Sequence, residues 1–243
     1  MATFVPVHGG LGGRWEWTDV ARELRGRGHE VFTPTLTGMG ERHHLGPEVR
    51  LATHIHDIVS VLEFEELEDV VLTGHSYSGI VVTGAADRAA HSVGLVVSID
   101  AELPEDGRSV VDRLPQVGEV VRSVADERGH GWVPVLDEVV PPEGLIDDER
   151  RSRYVARMRP QPVATFTAPV RLSGAIDRVP RGFARCTGGT IDLGSGDPIE
   201  GHAARAQAEG WAFRALSTPH DPQLFDPPGI AHVLDEMAAE RPR

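Results

Sequence analysis

Short apolar runs and stretches with apolar residues at helical spacing alternate over the first hundred positions. Thr3–Val7, Glu30–Phe32, Val70–Leu72 and Val93–Ile99 read as strands, the last almost continuously apolar. Strands apolar on both faces belong to a parallel sheet covered by helices on each side. Val20, Ala21 and Leu24 give the inward face of a helix from about Trp17, with Thr18 as N-cap and Gly26 and Gly28 as stops. Leu51, Ile55, Ile58, Val59 and Leu62 mark a second helix within Leu51–Leu67. The rhythm returns late: strand over Gly182–Thr187, helix over Ile199–Glu209, strand over Trp211–Leu216, and a last helix from about Pro228 to Ala239. This predicts an α/β domain with a doubly wound, mostly parallel sheet.

Between about Glu102 and Pro180 the alternation stops. The stretch is rich in Pro, Asp, Glu and Arg, with helical pieces over Ser109–Arg128 and Asp147–Arg159 and no clear strand. One domain spanning 1–243 is expected, with residues 102–180 as a helical cap inserted after the strand that ends at Ile99. An independent small helical domain is the alternative.

Composition narrows the chemistry. The formal net charge is −13, and all 24 basic residues are arginine. An acidic chain without a basic run argues against nucleic acid and against an anionic membrane surface. The lack of lysine excludes Schiff-base chemistry. One cysteine, Cys186, permits no internal disulfide and suits a reducing cytoplasm. The N-terminal residues read as a strand, not a signal peptide, and no apolar run reaches the ~20 residues of a transmembrane helix.

Residues 70–79, Val-Val-Leu-Thr-Gly-His-Ser-Tyr-Ser-Gly, join a strand to an alanine-rich helix through a small-residue turn. Gly74-His75-Ser76-Tyr77-Ser78 is a nucleophile-elbow pattern whose last glycine is replaced by serine. Ser76 would be the nucleophile. His220 follows the last strand, where the general base belongs. Gly9 and Gly10 follow the first strand, so the N–H groups of Gly10 and Tyr77 would form an oxyanion hole. Gly9, Trp15 and Trp132 are candidate substrate contacts, along with Trp17, Tyr77 and Phe166. His43, His44, His54 and His56 show no ligand spacing, so no metal is expected. His75 is expected to serve packing.

His8-Gly9-Gly10 with Trp15 and Trp17, Thr33 to Arg42, Gly74 to Gly79, Gln161 to Phe166 and His220-Asp221 together resemble a bacterial branch of the α/β hydrolases. That branch is similar to the plant methyl esterases and hydroxynitrile lyases. The resemblance spans the chain and implies the α/β-hydrolase fold, a cap over the site and no cofactor. It departs from the lyases, which carry a lysine directly after the base and a hydroxyl residue after the first histidine; here these are Asp221 and Gly9. It departs again at the acid, since Cys186-Thr187-Gly188-Gly189 holds no carboxylate. Asp100, at the end of a strand, and Asp197, in a Gly-x-x-Asp loop, are the substitutes, with Asp192 a third and no acid at all a fourth reading.

The function expected is hydrolysis of an ester, thioester or lactone of a small apolar molecule through an acyl-enzyme. The alternatives are a cofactor-free cyclase or carbon–carbon lyase of specialised metabolism, and a non-catalytic ligand receptor. Oligomeric state is open, a homodimer included.

Overall fold

A computed structural model describes residues 1–241 except 115–117, 120, 122, 124–130, 136–138, 142 and 190–198. Six strands form one parallel sheet in the order β2-β1-β3-β4-β7-β8: β1 (Thr3–Val7), β2 (Glu30–Val31), β3 (Val70–His75), β4 (Val93–Ile99), β7 (Arg181–Cys186) and β8 (Ala212–Leu216). Helices with fully described bounds are α1 (Thr18–Gly26), α2 (Leu51–Phe64), α3 (Ser78–Arg88), α4 (Val110–Arg113), α5 (Asp148–Val155), α6 (Val163–Thr167), α7 (Glu200–Ala208), α8 (Pro222–Phe225) and α9 (Pro227–Glu240).

Successive strand residues point to opposite faces, and each face meets its own helices. Val5, Val7, Val70, Leu72 and Val96 pack with Ile55, Ile58 and Leu62 of α2 and with Ile80 and Val81 of α3. Phe4, Val71, Leu95, Val97 and Ile99 pack with Val20 and Leu24 of α1 and with Ile230, Leu234 and Met237 of α9. Each such side chain, fully buried, contributes about 1.5–3 kcal/mol. This two-sided burial is why the strands read as apolar runs without alternation.

The sheet is wound outward in both directions from β1. The chain steps to β2 on one side and then crosses to β3 on the other. Val7 of β1 lies in register with Gly74 of β3, so their carboxyl ends open together at this switch point. Ligands of open α/β sheets bind in the crevice formed there.

Three expectations need correction. Thr18 is the first residue of α1 and not its cap, because a 3₁₀ turn over Arg14–Trp17 runs straight into the helix. Trp17 is fully buried in the α1 face of the core, in a different cluster from Tyr77 and Phe166. Residues 102–180 do contain strand: β5 (Trp132–Val133) pairs antiparallel with β6 (Gln161–Pro162). Two-residue strands are too short to leave a periodic signal.

Candidate active site

The turn between β3 and α3 is as tight as its small residues suggest. Ser76 has φ of +52°, a left-handed conformation that costs a non-glycine residue on the order of 1–2 kcal/mol. A Cβ on Gly74 would lie 2.6 Å from the carbonyl oxygen of Ser78 and 2.6 Å from Val82 Cγ2, so glycine is required there. Ser78 is fully buried. It is more than a tolerated substitute: its hydroxyl donates to the main-chain carbonyl of His8, tying the turn to the loop after β1.

His220 lies in the loop between β8 and α8. Ser76 Oγ–H donates to its Nε2 at 2.9 Å, and its Nδ1–H donates to Asp100 Oδ2 at 2.7 Å. Asp100 directly follows β4, itself at a positive φ of 42°, and is fully buried. Its Oδ1 accepts from the Cys186 N–H at 3.1 Å and from the Arg185 guanidinium. Burial acts to raise the Asp100 pKa, but the bond and charge of His220, with Arg185 and the Cys186 N–H, outweigh it and hold the carboxyl below its ordinary value. Burial acts to lower that of His220; the Asp100 bond and the charges of Asp221 and Asp100 prevail and raise it. Of the acids considered from sequence, Asp100 therefore meets the histidine. Asp192 and Asp197 lie outside the described residues.

The loop after β1 sits against this turn. A Cβ on Gly10 would lie 3.6 Å from Tyr77 Cβ, and one on Gly9 only 2.8 Å from His75 Nδ1 and 3.7 Å from Ser76 Cβ. The Tyr77 ring packs 5.2 Å from Phe166, and its hydroxyl donates to His54 Nδ1 at 2.8 Å while His54 Nε2–H donates to the Thr37 carbonyl. Trp15 packs edge-on to Tyr154 in a satellite cluster with Leu11, Met158 and Leu224, and Trp132 pairs with Pro162 in the ribbon. None of their described interactions involves Ser76 or His220. Among the described residues no three His, Cys, Asp or Glu side chains converge as metal ligands would, and no helix is long and apolar enough to cross a membrane.

Several residues at the site escaped the sequence reading. His75 donates Nε2–H to the His220 carbonyl at 2.8 Å and accepts at Nδ1 from Gln223 Nε2–H at 3.2 Å. Burial, above all, lowers its pKa to about 4, so it is neutral. Glu16 is buried and accepts from the Gly9 N–H at 3.2 Å; burial and the nearby Asp221 push its carboxyl well up. Gln161 accepts from the Leu11 N–H at 3.0 Å. The one signal in the sequence for these was a polar side chain set among prolines and apolar residues, at Gln161 and Gln223.

Residues 5–237 match the model of the alpha/beta hydrolase family. The chain belongs to that family. It is 40% identical over 185 residues to the carbendazim hydrolyzing esterase of Nocardioides sp. (strain SG-4G), covering 72% of this chain and 75% of that protein. It is 37% identical over 103 residues to methylesterase 10 of Arabidopsis thaliana, 42% of this chain and 38% of the relative. Among solved structures, an extracellular alpha/beta-hydrolase from a Paenibacillus species, described as sharing structural and functional homology with tobacco salicylic acid binding protein 2, superposes with a TM-score of 0.83. That pair shares 22% identity over 98% of this chain and 99% of the other. This alpha/beta hydrolase is thus an enzyme of the esterase type.

Proposed function

We propose that the chain is a serine hydrolase that cleaves a carboxylic ester, thioester or lactone of a small apolar molecule through an acyl-enzyme. The observation that carries this reading is the unbroken run of hydrogen bonds from Ser76 Oγ through His220 to Asp100, set on a serine held at positive φ. Ser76 attacks the carbonyl carbon as His220 Nε2 takes its proton. The imidazolium is stabilised by Asp100 and returns the proton to the leaving alcohol or thiol. Water, deprotonated by the same nitrogen, then releases the acid and restores Ser76. Charge on the tetrahedral oxygen is met by the N–H groups of Gly10 and Tyr77, which belong to abutting stretches of main chain.

In this reading residues 102–180 are a cap, with Phe166 against Tyr77 supplying apolar wall. The relatives' names make methyl esters and carbendazim the first substrates to try. Asp100 within hydrogen-bond reach of His220 supports acyl transfer over a cyclase or carbon–carbon lyase built on a site without an acid. The lone cysteine, buried and free, accords with a cytoplasmic location. A fluorophosphonate probe tests the mechanism: wild type is labelled once, at Ser76, and Ser76→Ala is neither labelled nor active. An unlabelled wild type, or an active Ser76→Ala, overturns it.

A further inference from the structure

Leu11 stands directly after Gly10 with φ of +62°. A branched side chain in the left-handed region costs on the order of 1–2 kcal/mol, and such a conformation persists only where its surroundings impose it. Both main-chain groups of Leu11 are held by one distant segment. Its N–H donates to Gln161 Oε1 at 3.0 Å, 150 residues away, and its carbonyl accepts from the Arg159 N–H at 2.8 Å.

The Gln161 amide is itself fixed. It is fully buried. Its Nε2 donates to Thr165 Oγ1 at 2.8 Å, and that hydroxyl donates onward to the Pro162 carbonyl at 2.6 Å. A hydroxyl that has spent its proton on Pro162 can only accept from Gln161, so the amide nitrogen must face Thr165 and the amide oxygen must face Leu11. That oxygen also lies against Gly10, 3.0 Å from where a Cβ would stand.

We propose that Gln161 is a positioning residue for the oxyanion hole. By engaging the Leu11 N–H it orients the Gly10–Leu11 peptide, sustains the left-handed turn and leaves the Gly10 N–H as the donor that faces the substrate. It also removes the Leu11 N–H as a competing donor. The segment 159–165 thereby couples the cap to the electrophilic side of the site, opposite His220. This rests on the reading that Ser76 is acylated and that Gly10 donates to the oxyanion.

The test compares Gln161→Met, which keeps length but offers only a weakly accepting thioether, Thr165→Val, which frees the amide without touching Gly10, and Thr165→Ser, which keeps the hydroxyl that holds the amide. Each is assayed for kcat, KM and the pH midpoint with a p-nitrophenyl ester, beside wild type and Ser76→Ala. Gln161→Met is expected to lower kcat about 10- to 100-fold, less than the 10²–10³ of deleting an oxyanion donor outright. KM should stay within about threefold and the pH midpoint unchanged, because His220 and Asp100 are untouched. Thr165→Val should fall between Gln161→Met and wild type, and Thr165→Ser should stay close to wild type. If Gln161→Met does not fold, Thr165→Val alone decides. Full kcat in a folded Gln161→Met or in Thr165→Val overturns the proposal, as does a loss in Thr165→Ser as large as that in Thr165→Val, or a loss in Gln161→Met that comes with a shifted pH midpoint. An active Ser76→Ala would instead defeat the underlying serine mechanism, so the two failures are told apart.

Discussion

The hydroxyl of Ser78 donates to the main-chain carbonyl of His8 across 70 residues of sequence, joining the serine turn to the glycine loop after β1. Restoring the glycine of the elbow pattern at this position should therefore weaken the protein. Ser78→Gly leaves a buried carbonyl unpaired, at about 1–3 kcal/mol, and adds the entropy cost of glycine in a helix. For a chain of this size each kcal/mol lowers Tm by about 2–4 °C. Calorimetry on wild type and Ser78→Gly measures it; an unchanged or higher Tm contradicts the role given to this bond.

Asp100→Asn should lower kcat by roughly 10⁴-fold, the scale of losing the tautomer-fixing acid. A base must be neutral to accept a proton, so kcat/KM of wild type rises with pH through the His220 pKa. Because that pKa is raised, the acidic limb should have its midpoint above the ordinary imidazole value of about 6.5. In the residual activity of Asp100→Asn the midpoint should move down. A wild-type midpoint at or below 6.5 argues against the pairing.

Stability should fall on mild acidification. His8, His54, His75 and His202 are each lowered to about 4, mainly by burial. Between pH 6.5 and 4 the unfolded chain binds protons that these folded sites refuse, at up to about 1.4 kcal/mol per pH unit for each. Glu102, raised to about 7, and Glu16, raised well above its usual range, act in the opposite sense down to about pH 4.5. Four groups against two leave a net loss over pH 4.5–6.5. Urea midpoints across that range record it, and His54→Gln should flatten the slope; a midpoint that holds or climbs as pH drops would refute the balance.

Gly9 stands where the lyases that the sequence resembles would carry a hydroxyl residue, and His75 occupies the room such a side chain needs. A Cβ at position 9 would lie 2.8 Å from His75 Nδ1. Gly9→Ser should accordingly displace His75 from the His220 carbonyl and cost at least tenfold in kcat/KM, with no gain of cyanohydrin cleavage. Steady-state assays on an ester and on mandelonitrile would show this; an ester rate within twofold of wild type shows that the space yields.

Local patterns made the frame legible. Val93–Ile99 is a strand at the positions its apolar run marks, and Ser76 lies on the turn its small neighbours imply. What stayed hidden depends on which loops converge. In sequence Asp100 follows a strand and Asp197 stands in a loop directly before a helix, and only the 120-residue contact between Asp100 and His220 places one carboxylate on the histidine. Gln161 and Gln223 act across 150 and 148 residues, and no periodicity encodes a contact of that separation. The ribbon of β5 and β6 was missed because two residues a side carry no alternation.

Cys186 offers a different use of the same architecture. It is buried, its N–H is bonded to Asp100, and burial, with the charge of Asp100, pushes its thiol up to about 12. It is also the chain's single thiol. Alkylation can therefore proceed only through transient openings that lift the end of β7 away from the acid. Its rate is a built-in clock for breathing of the catalytic floor, readable by mass spectrometry on the unmodified protein without any introduced label.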